Sequence, residues 1–181
     1  MAEDLKRGAV IGVLTISDRA SAGAYRDESG PAIVAFLERA VRSPIAIVKR
    51  IIPDGFESVR DCLIDLADTE GCDLILTTGG TGPSPRDLTP EATQAAASRL
   101  LPGFGELMRA ESLKQVPTAI LSRQIAAHRG KCLIINLPGK PASIETCLRA
   151  VFPAVPYCLD LLGAARIETD PAVLISFRPK S

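Results

Sequence analysis

Net charge is the first thing this sequence lacks. Its 21 Lys and Arg residues balance 21 Asp and Glu residues, so the formal net charge is zero. Nucleic-acid binders normally carry a basic excess, because phosphate neutralisation supplies much of their affinity. Nucleic acid is therefore not an expected partner. A small phosphorylated ligand stays open, since a few local charges suffice for it. Cysteine pairing is also missing. The five cysteines, Cys62, Cys72, Cys132, Cys147 and Cys158, are odd in number and none stands in C-x-x-C spacing. That argues against a zinc site or disulfide framework and for reduced, mostly buried thiols in a cytoplasmic protein. No apolar run approaches membrane-spanning length, so no membrane is expected. Lys6-Arg7, the apolar run Ala9 to Ile16 and then Ala20-Ser21-Ala22 imitate a secretory signal. The run is rich in Val, Ile and Thr, as a strand would be. Asp18 and Arg19 also charge the stretch that a cleavable signal keeps uncharged. Only one histidine exists, His128 beside Arg129, and it reads as a surface turn residue. Without a Ser–His pair near a strand end, triad hydrolysis has little support.

What is present is an ordinary globular balance, 46% apolar and 23% charged in 181 residues. That length suits one domain with a real core, expected over residues 1–181, and is short for two. No repeat, linker or low-complexity segment interrupts it. Strand and helix patterns alternate. Gly8 to Ile16 is a continuous apolar run that reads as a buried strand. Arg19 to Ser29 reads as a loop, and Pro31 opens a helix to Arg42 with Ile33, Leu37 and Val41 on one face. Ile45 to Ile52 is a second strand, ended by the turn residues Pro53-Asp54-Gly55. Phe56 to Asp68 has Val59, Cys62, Leu63 and Leu66 at helical spacing. Leu74 to Thr78 is a third strand and runs into Gly79-Gly80-Thr81-Gly82. Thr89 is expected to cap the next helix, with Pro90 at its first position. Pro102-Gly103 breaks the pattern before a helical period from Phe104 to Gln115. Gln124 to His128 is a short strand and Cys132 to Leu137 a buried one. Ile144, Cys147, Leu148 and Val151 mark a helix, and Val155 to Leu162 another. Strands joined by helical crossovers predict a three-layer α/β/α fold with a mostly parallel central sheet.

Parallel strands end along one edge, and ligands in such sheets bind outside it. Ser17-Asp18, Asp54-Gly55, Gly79 to Gly82 and Pro138 to Pro141 all follow strands and should converge there. The glycine segment is either a tight turn needing positive φ or a backbone nest for phosphate. Three glycines around Thr81 directly after a buried strand favour the ligand. It is not a Walker loop, since no Gly-Lys-Ser/Thr follows. It is not a dinucleotide fingerprint either, since Pro85 stands where glycine is required. Asp54 and Asp87 are candidate magnesium ligands, because magnesium takes one or two carboxylates plus phosphate oxygens. Asp54 could equally be a turn residue, and Asp87 a helix-start cap. Arg86 would put an anion ligand beside Asp87. Asp18 divides evenly between turn capping and a site role. Arg123 and Lys140 are candidate phosphate partners, or simply solvated.

Several segments together resemble the molybdopterin adenylyltransferase (MogA/MoaB-like) family. They are Thr15 to Arg19, Ile52-Pro53-Asp54, Thr77 to Pro83, Arg86-Asp87, Thr89 to Thr93, Ala119 to Arg123 and Asn136 to Pro141. The resemblance runs from about residue 10 to the C-terminus, and the ordered combination is far more specific than the glycine motif alone. It implies transfer of AMP from ATP to the terminal phosphate of molybdopterin, with magnesium as cofactor. Asp54 and Asp87 match residues for metal handling and catalysis. Gly79, Gly80, Thr81 and Gly82 match the nucleotide and phosphate contacts. Ser112, Ser122 and Asn136, together with Thr81, would line the pterin or phosphate pocket. Asp18, Pro138 and Gly139 are further expected substrate contacts. The resemblance also implies a homotrimer and delivery of the product to a molybdate-insertion protein. Some members carry an insertion before the segment matching Val155-Pro156-Tyr157, whereas here Phe152-Pro153-Ala154 leads there directly. Two other readings are a same-fold protein that binds molybdopterin without efficient transfer, and a scaffold domain like those related in gephyrin. The scaffold reading calls for an extra domain or long linker. A nicotinamide-dependent oxidoreductase is opposed by the glycine spacing.

Overall fold

The computed structural model describes residues 8–180. Six strands form one sheet: β1 (Ala9–Ile16), β2 (Ile45–Ile52), β3 (Leu74–Thr78), β4 (Arg99–Leu100), β5 (Ala126–Arg129) and β6 (Cys132–Leu137). Their order is β2-β1-β3-β6-β5-β4. β2, β1, β3 and β6 are parallel, while β5 and β4 run antiparallel at one edge. Among the described residues seven α-helices accompany the sheet: α1 (Asp18–Ser21), α2 (Ser29–Ala40), α3 (Phe56–Asp68), α4 (Thr89–Ala96), α5 (Pro102–Leu113), α6 (Pro141–Val151) and α7 (Val155–Leu162). The expected mostly parallel α/β architecture is therefore what the chain forms. Lys6-Arg7, which suggested a leader, lies outside the described residues.

The two faces of the sheet are covered by different helices. Side chains alternate along a strand. Ile11 and Val13 of β1 thus join Leu74, Leu76, Leu133 and Ile135 in a core shared with α2, α5, α6 and α7. Leu14 and Ile16 face the other way and join Ile75 and Ile134 under α3 and α4. Burial on both faces explains why β1, β3 and β6 read as unbroken apolar runs. From β1 the chain crosses outward to β2 and then returns to β3 on the opposite side of β1. The strand order reverses there, which opens a crevice at the carboxyl ends of β1 and β3.

Several boundaries differ from the sequence reading. The stretch expected as loop after β1 starts with α1, because Ser17 Oγ accepts a hydrogen bond from Ala20 N–H and caps a single turn. α2 starts at Ser29 rather than Pro31, since Asp27 Oδ1 accepts the amides of Ser29 and Gly30. It stops at Ala40 because Val41 turns extended and bridges to Thr169. Pro102 opens α5 at its first turn, where a missing N–H costs nothing, instead of breaking the chain there. β4 was not expected. Finally, β2 and β3 are not neighbours; both flank β1.

Candidate functional site

The loop after β3 is built on conformations that only glycine adopts comfortably. Gly79 and Gly80 have φ of 100° and 63°. A Cβ on Gly79 would lie 2.2 Å from the carbonyl oxygen of Ile16, so the loop passes directly against the end of β1. A Cβ on Gly80 would lie 2.3 Å from Thr89 Oγ1. Thr89 was expected to cap α4. It is instead the first residue of that helix, and its side chain serves the glycine turn. Thr89 Oγ1 donates to Gly79 O at 3.0 Å, and Thr89 N–H donates to Gly80 O at 3.1 Å. The loop after β6 leans on the same turn. Thr78 Oγ1 donates to Pro138 O at 2.8 Å, and Gly139 approaches Gly79 so closely that a Cβ would touch its Cα at 3.6 Å.

Three aspartates surround this turn. Asp18 and Asp54 cap one another across two strand ends. Asp18 N–H donates to Asp54 Oδ2 at 2.9 Å, and Asp54 N–H donates to Asp18 Oδ1 at 3.1 Å. Asp18 Oδ2 takes an ion pair from Arg86 at 2.7 Å. Arg86 is thus tied to Asp18, not held beside Asp87. The turn reading of Asp54 is correct for one oxygen. Its other oxygen, Oδ1, faces the glycine loop, 3.6 Å from where a Cβ on Gly80 would sit. Asp87 does not cap α4. Its Oδ2 accepts Ser84 N–H at 3.0 Å and lies 2.8 Å from the Cβ position of Gly82. The two acids therefore flank one glycine turn, at Gly80 and Gly82, where a side chain would close the gap.

Among the described residues no three His, Cys, Asp or Glu side chains cluster as a metal cage. Magnesium does not need one. It takes one or two carboxylates and fills its shell with water and phosphate oxygens. Asp54 beside Gly80 and Asp87 beside Gly82, where no side chain intervenes, fit that requirement.

A cleft of about 340 Å³ opens next to Gly82. Thr81, Gly82, Ser112, Ser122, Pro138 and Gly139 all line it, and Lys140 stands on its wall. Seven residues from the sequence reading thus meet in one space. A smaller cavity of about 150 Å³ lies on the other side of Gly139, against Thr15, Thr78 and Gly79. Asn136 is the exception. It is fully buried and is not on the cleft wall. Its Nδ2 donates to Thr77 and Thr93 Oγ1 at 3.1 and 2.9 Å, bracing β6 against β3 and α4. Among the described residues Oδ1 has no hydrogen-bond partner.

The sequence did not mark Gln124 as a site residue. Only 2% exposed, it forms the cleft floor and organises both serines. Ser122 Oγ donates to its Oε1 at 2.8 Å, and its Nε2 donates to Cys147 Sγ at 3.5 Å. Cys147 Sγ is also 3.6 Å from Ser112 Oγ. Burial pushes the Cys147 thiol up, so it stays protonated and serves as a link. Arg109 Nη1 holds the Gln124 carbonyl at 2.7 Å. Ser122 and Gln124 alternate in the sequence, which was the only available signal.

A family described as "Probable molybdopterin binding domain" matches residues 12–157. The molybdopterin adenylyltransferase of Helicobacter pylori strain 26695 is 54% identical over 170 residues, covering 94% of this chain and 97% of that protein. The chain belongs to the molybdopterin adenylyltransferase family. The Escherichia coli K12 member, also called molybdopterin adenylyltransferase, is 48% identical over 183 residues, covering 94% of each chain. The fold agrees with the solved Mog protein from Mycobacterium ulcerans, at a TM-score of 0.79 and 36% identity. That match covers 86% of this chain and 99% of that one. Family membership accounts for the ordered loops that surround the cleft. It also closes the oxidoreductase reading.

Proposed function

We propose that this chain transfers AMP from ATP to the terminal phosphate of molybdopterin. The observation that carries the proposal is the pair Asp54 and Asp87 flanking a glycine turn whose Thr81 and Gly82 line a cleft of about 340 Å³. The curated relatives bear the name of that activity over nearly their whole length. In the reaction a phosphate oxygen of molybdopterin bonds to the α-phosphorus of ATP. The bond from that phosphorus to the bridging oxygen breaks, and pyrophosphate leaves with the electron pair. Such transfer depends on positioning and charge neutralisation more than on a protein nucleophile. Thr81, Ser112 and Ser122 orient the pterin substrate by hydrogen bonds, and Lys140 offers a cation to a phosphate at the cleft wall. The amides of the Gly79–Gly82 turn meet the nucleotide phosphates. Asp54 and Asp87 hold the magnesium ion, which when bound neutralises phosphate charge. The test is pyrophosphate release from Mg-ATP. It should require molybdopterin, and release that ignores molybdopterin contradicts the proposal.

We also infer a homotrimer. Leu113, Val116, Ile120 and Leu121 are exposed apolar side chains at the end of α5 and in the turn that follows it, and Val116 and Leu121 line the cleft. Patches of this kind mark interfaces. Sedimentation equilibrium at micromolar concentration should return three chains per particle, and a monomer mass would reject the trimer. Delivery of the adenylylated product to a molybdate-insertion protein and a cytoplasmic setting belong to the same reading. All five cysteines are free thiols, as a reducing compartment maintains them. Among the described residues no helix is long and apolar enough to cross a membrane.

A further inference from the structure

Arg123 stands between two residues of the cleft wall, Ser122 and Gln124, yet is not itself on that wall. The backbone at Ser122 is extended, with φ −71° and ψ 128°. Successive side chains of an extended segment point to opposite sides. Arg123 accordingly turns away from the cleft and into the loop that carries Asp87. Its main-chain N–H donates to Thr81 O at 2.8 Å. Its Nε donates to Gly82 O at 2.8 Å. Nη2 donates to Asp87 O and, at 3.3 Å, to Glu91 Oε2. Nη1 donates to Glu91 Oε1. All three guanidinium nitrogens are thus committed to protein acceptors. The sequence left this arginine as a candidate phosphate partner or a solvated side chain, and its donors serve the protein instead.

What these bonds hold is specific. Pro83 to Arg86 is exposed, and the two residues that bound it are Gly82 and Asp87. Both of their carbonyls rest on one guanidinium. Gly82 is also the residue against which the Asp87 carboxylate lies, with only the absent Cβ making room. One side chain therefore sets where that carboxylate stands relative to the glycine turn. Glu91 completes the arrangement from the first turn of α4, where the helix dipole favours an acid. The Arg123 hydrogen bond holds the Glu91 carboxyl below the usual range, so the pair stays ionised at neutral pH.

We propose that Arg123, fixed by Glu91, is the positioning residue for Asp87 in the transfer reaction. This rests on the functional reading above. Arg123 acts on the reaction through the geometry of the 82–87 loop, without touching substrate. Lysine cannot replace it, because an ammonium is a point charge without the planar fork that spans separated acceptors.

The test compares Arg123→Ala, Arg123→Lys and Glu91→Gln with the unsubstituted protein. Arg123→Ala should lower kcat about 100-fold, the scale of a 1 Å misplacement, with KM for molybdopterin and ATP close to unchanged. Arg123→Lys keeps the charge and should not restore kcat. Glu91→Gln should lower kcat in the same direction by less, and it serves if Arg123→Ala fails to fold. Hydrogen exchange supplies a readout independent of turnover. The Ser84 and Asp87 amides should exchange faster in the variants, while those of β3 and β6 stay protected. Full activity in Arg123→Lys, a raised KM for ATP with kcat retained, or unaltered loop exchange would each overturn the positioning role. If the unsubstituted protein forms no adenylylated pterin, the functional reading fails, and the exchange data alone decide whether Arg123 fixes the loop.

Discussion

Replacing Asp87 by Asn should lower adenylyl transfer by about a thousandfold or more, the upper end of what removing one charge-stabilising group costs. The fold should survive. An asparagine side-chain oxygen can still accept the Ser84 amide, which is the only hydrogen bond the Asp87 carboxylate makes among the described residues. The Arg123 hydrogen bond is to the Asp87 carbonyl and survives the change, which costs that arginine only its coulombic attraction to the carboxylate. What the substitution removes is a negative charge beside Gly82, where the ion and the nucleotide phosphates are proposed to sit. The measurement is single-turnover transfer paired with a thermal melt. A variant that melts normally and turns over normally would end the catalytic assignment of Asp87.

The second large effect concerns Asp54 and Asp87 together. Asp54→Asn alone should cost about 100-fold or more, Asp87→Asn the larger loss given above, and the double variant should lose less than the two losses combined. Neighbouring strands are not the reason the two acids flank one turn, because β1 lies between β2 and β3. The reach across β1 comes from the mutual capping of Asp18 and Asp54, which brings Asp54 Oδ1 to face Gly80. Two carboxylates that flank one short turn repel when no cation is present. Magnesium with ATP phosphates relieves that repulsion, so metal and nucleotide should bind more tightly together than apart. Residues that act as a unit give non-additive losses. A double-mutant cycle at saturating magnesium decides the point. Strictly additive losses would argue for separate sites, even if each aspartate proved essential.

The parts of the fold that were legible in the sequence are those governed by local pattern. β1, β3 and β6 are buried on both faces, so each is a continuous apolar run with turn residues at its end. α3 shows its period because only one of its faces is covered. β4 has two residues, and no periodicity can show in two. α1 depends on one cap from Ser17, a single hydrogen bond that competes with many equally local alternatives. The site divides the same way. Strand ends put Asp18, Asp54 and the glycine turn on one edge, which topology alone predicts. The partners of charged and amide side chains were not legible. Arg123 reaches Glu91 over 32 residues, and Asn136 reaches Thr77 and Thr93 over 59 and 43. Those pairings are set by packing between elements, and nothing in the neighbouring sequence announces them. A basic or amide side chain near a loop thus read as a ligand contact when it was bracing the loop itself.

Everything proposed for this site depends on the transfer of AMP to molybdopterin. The most direct test incubates the protein with molybdopterin, magnesium and ATP labelled at the α-phosphate, then separates the pterin product. The label should appear on the pterin, with the mass of an added AMP and one pyrophosphate per product. Label that stays with the nucleotide while molybdopterin remains bound and unchanged would contradict it.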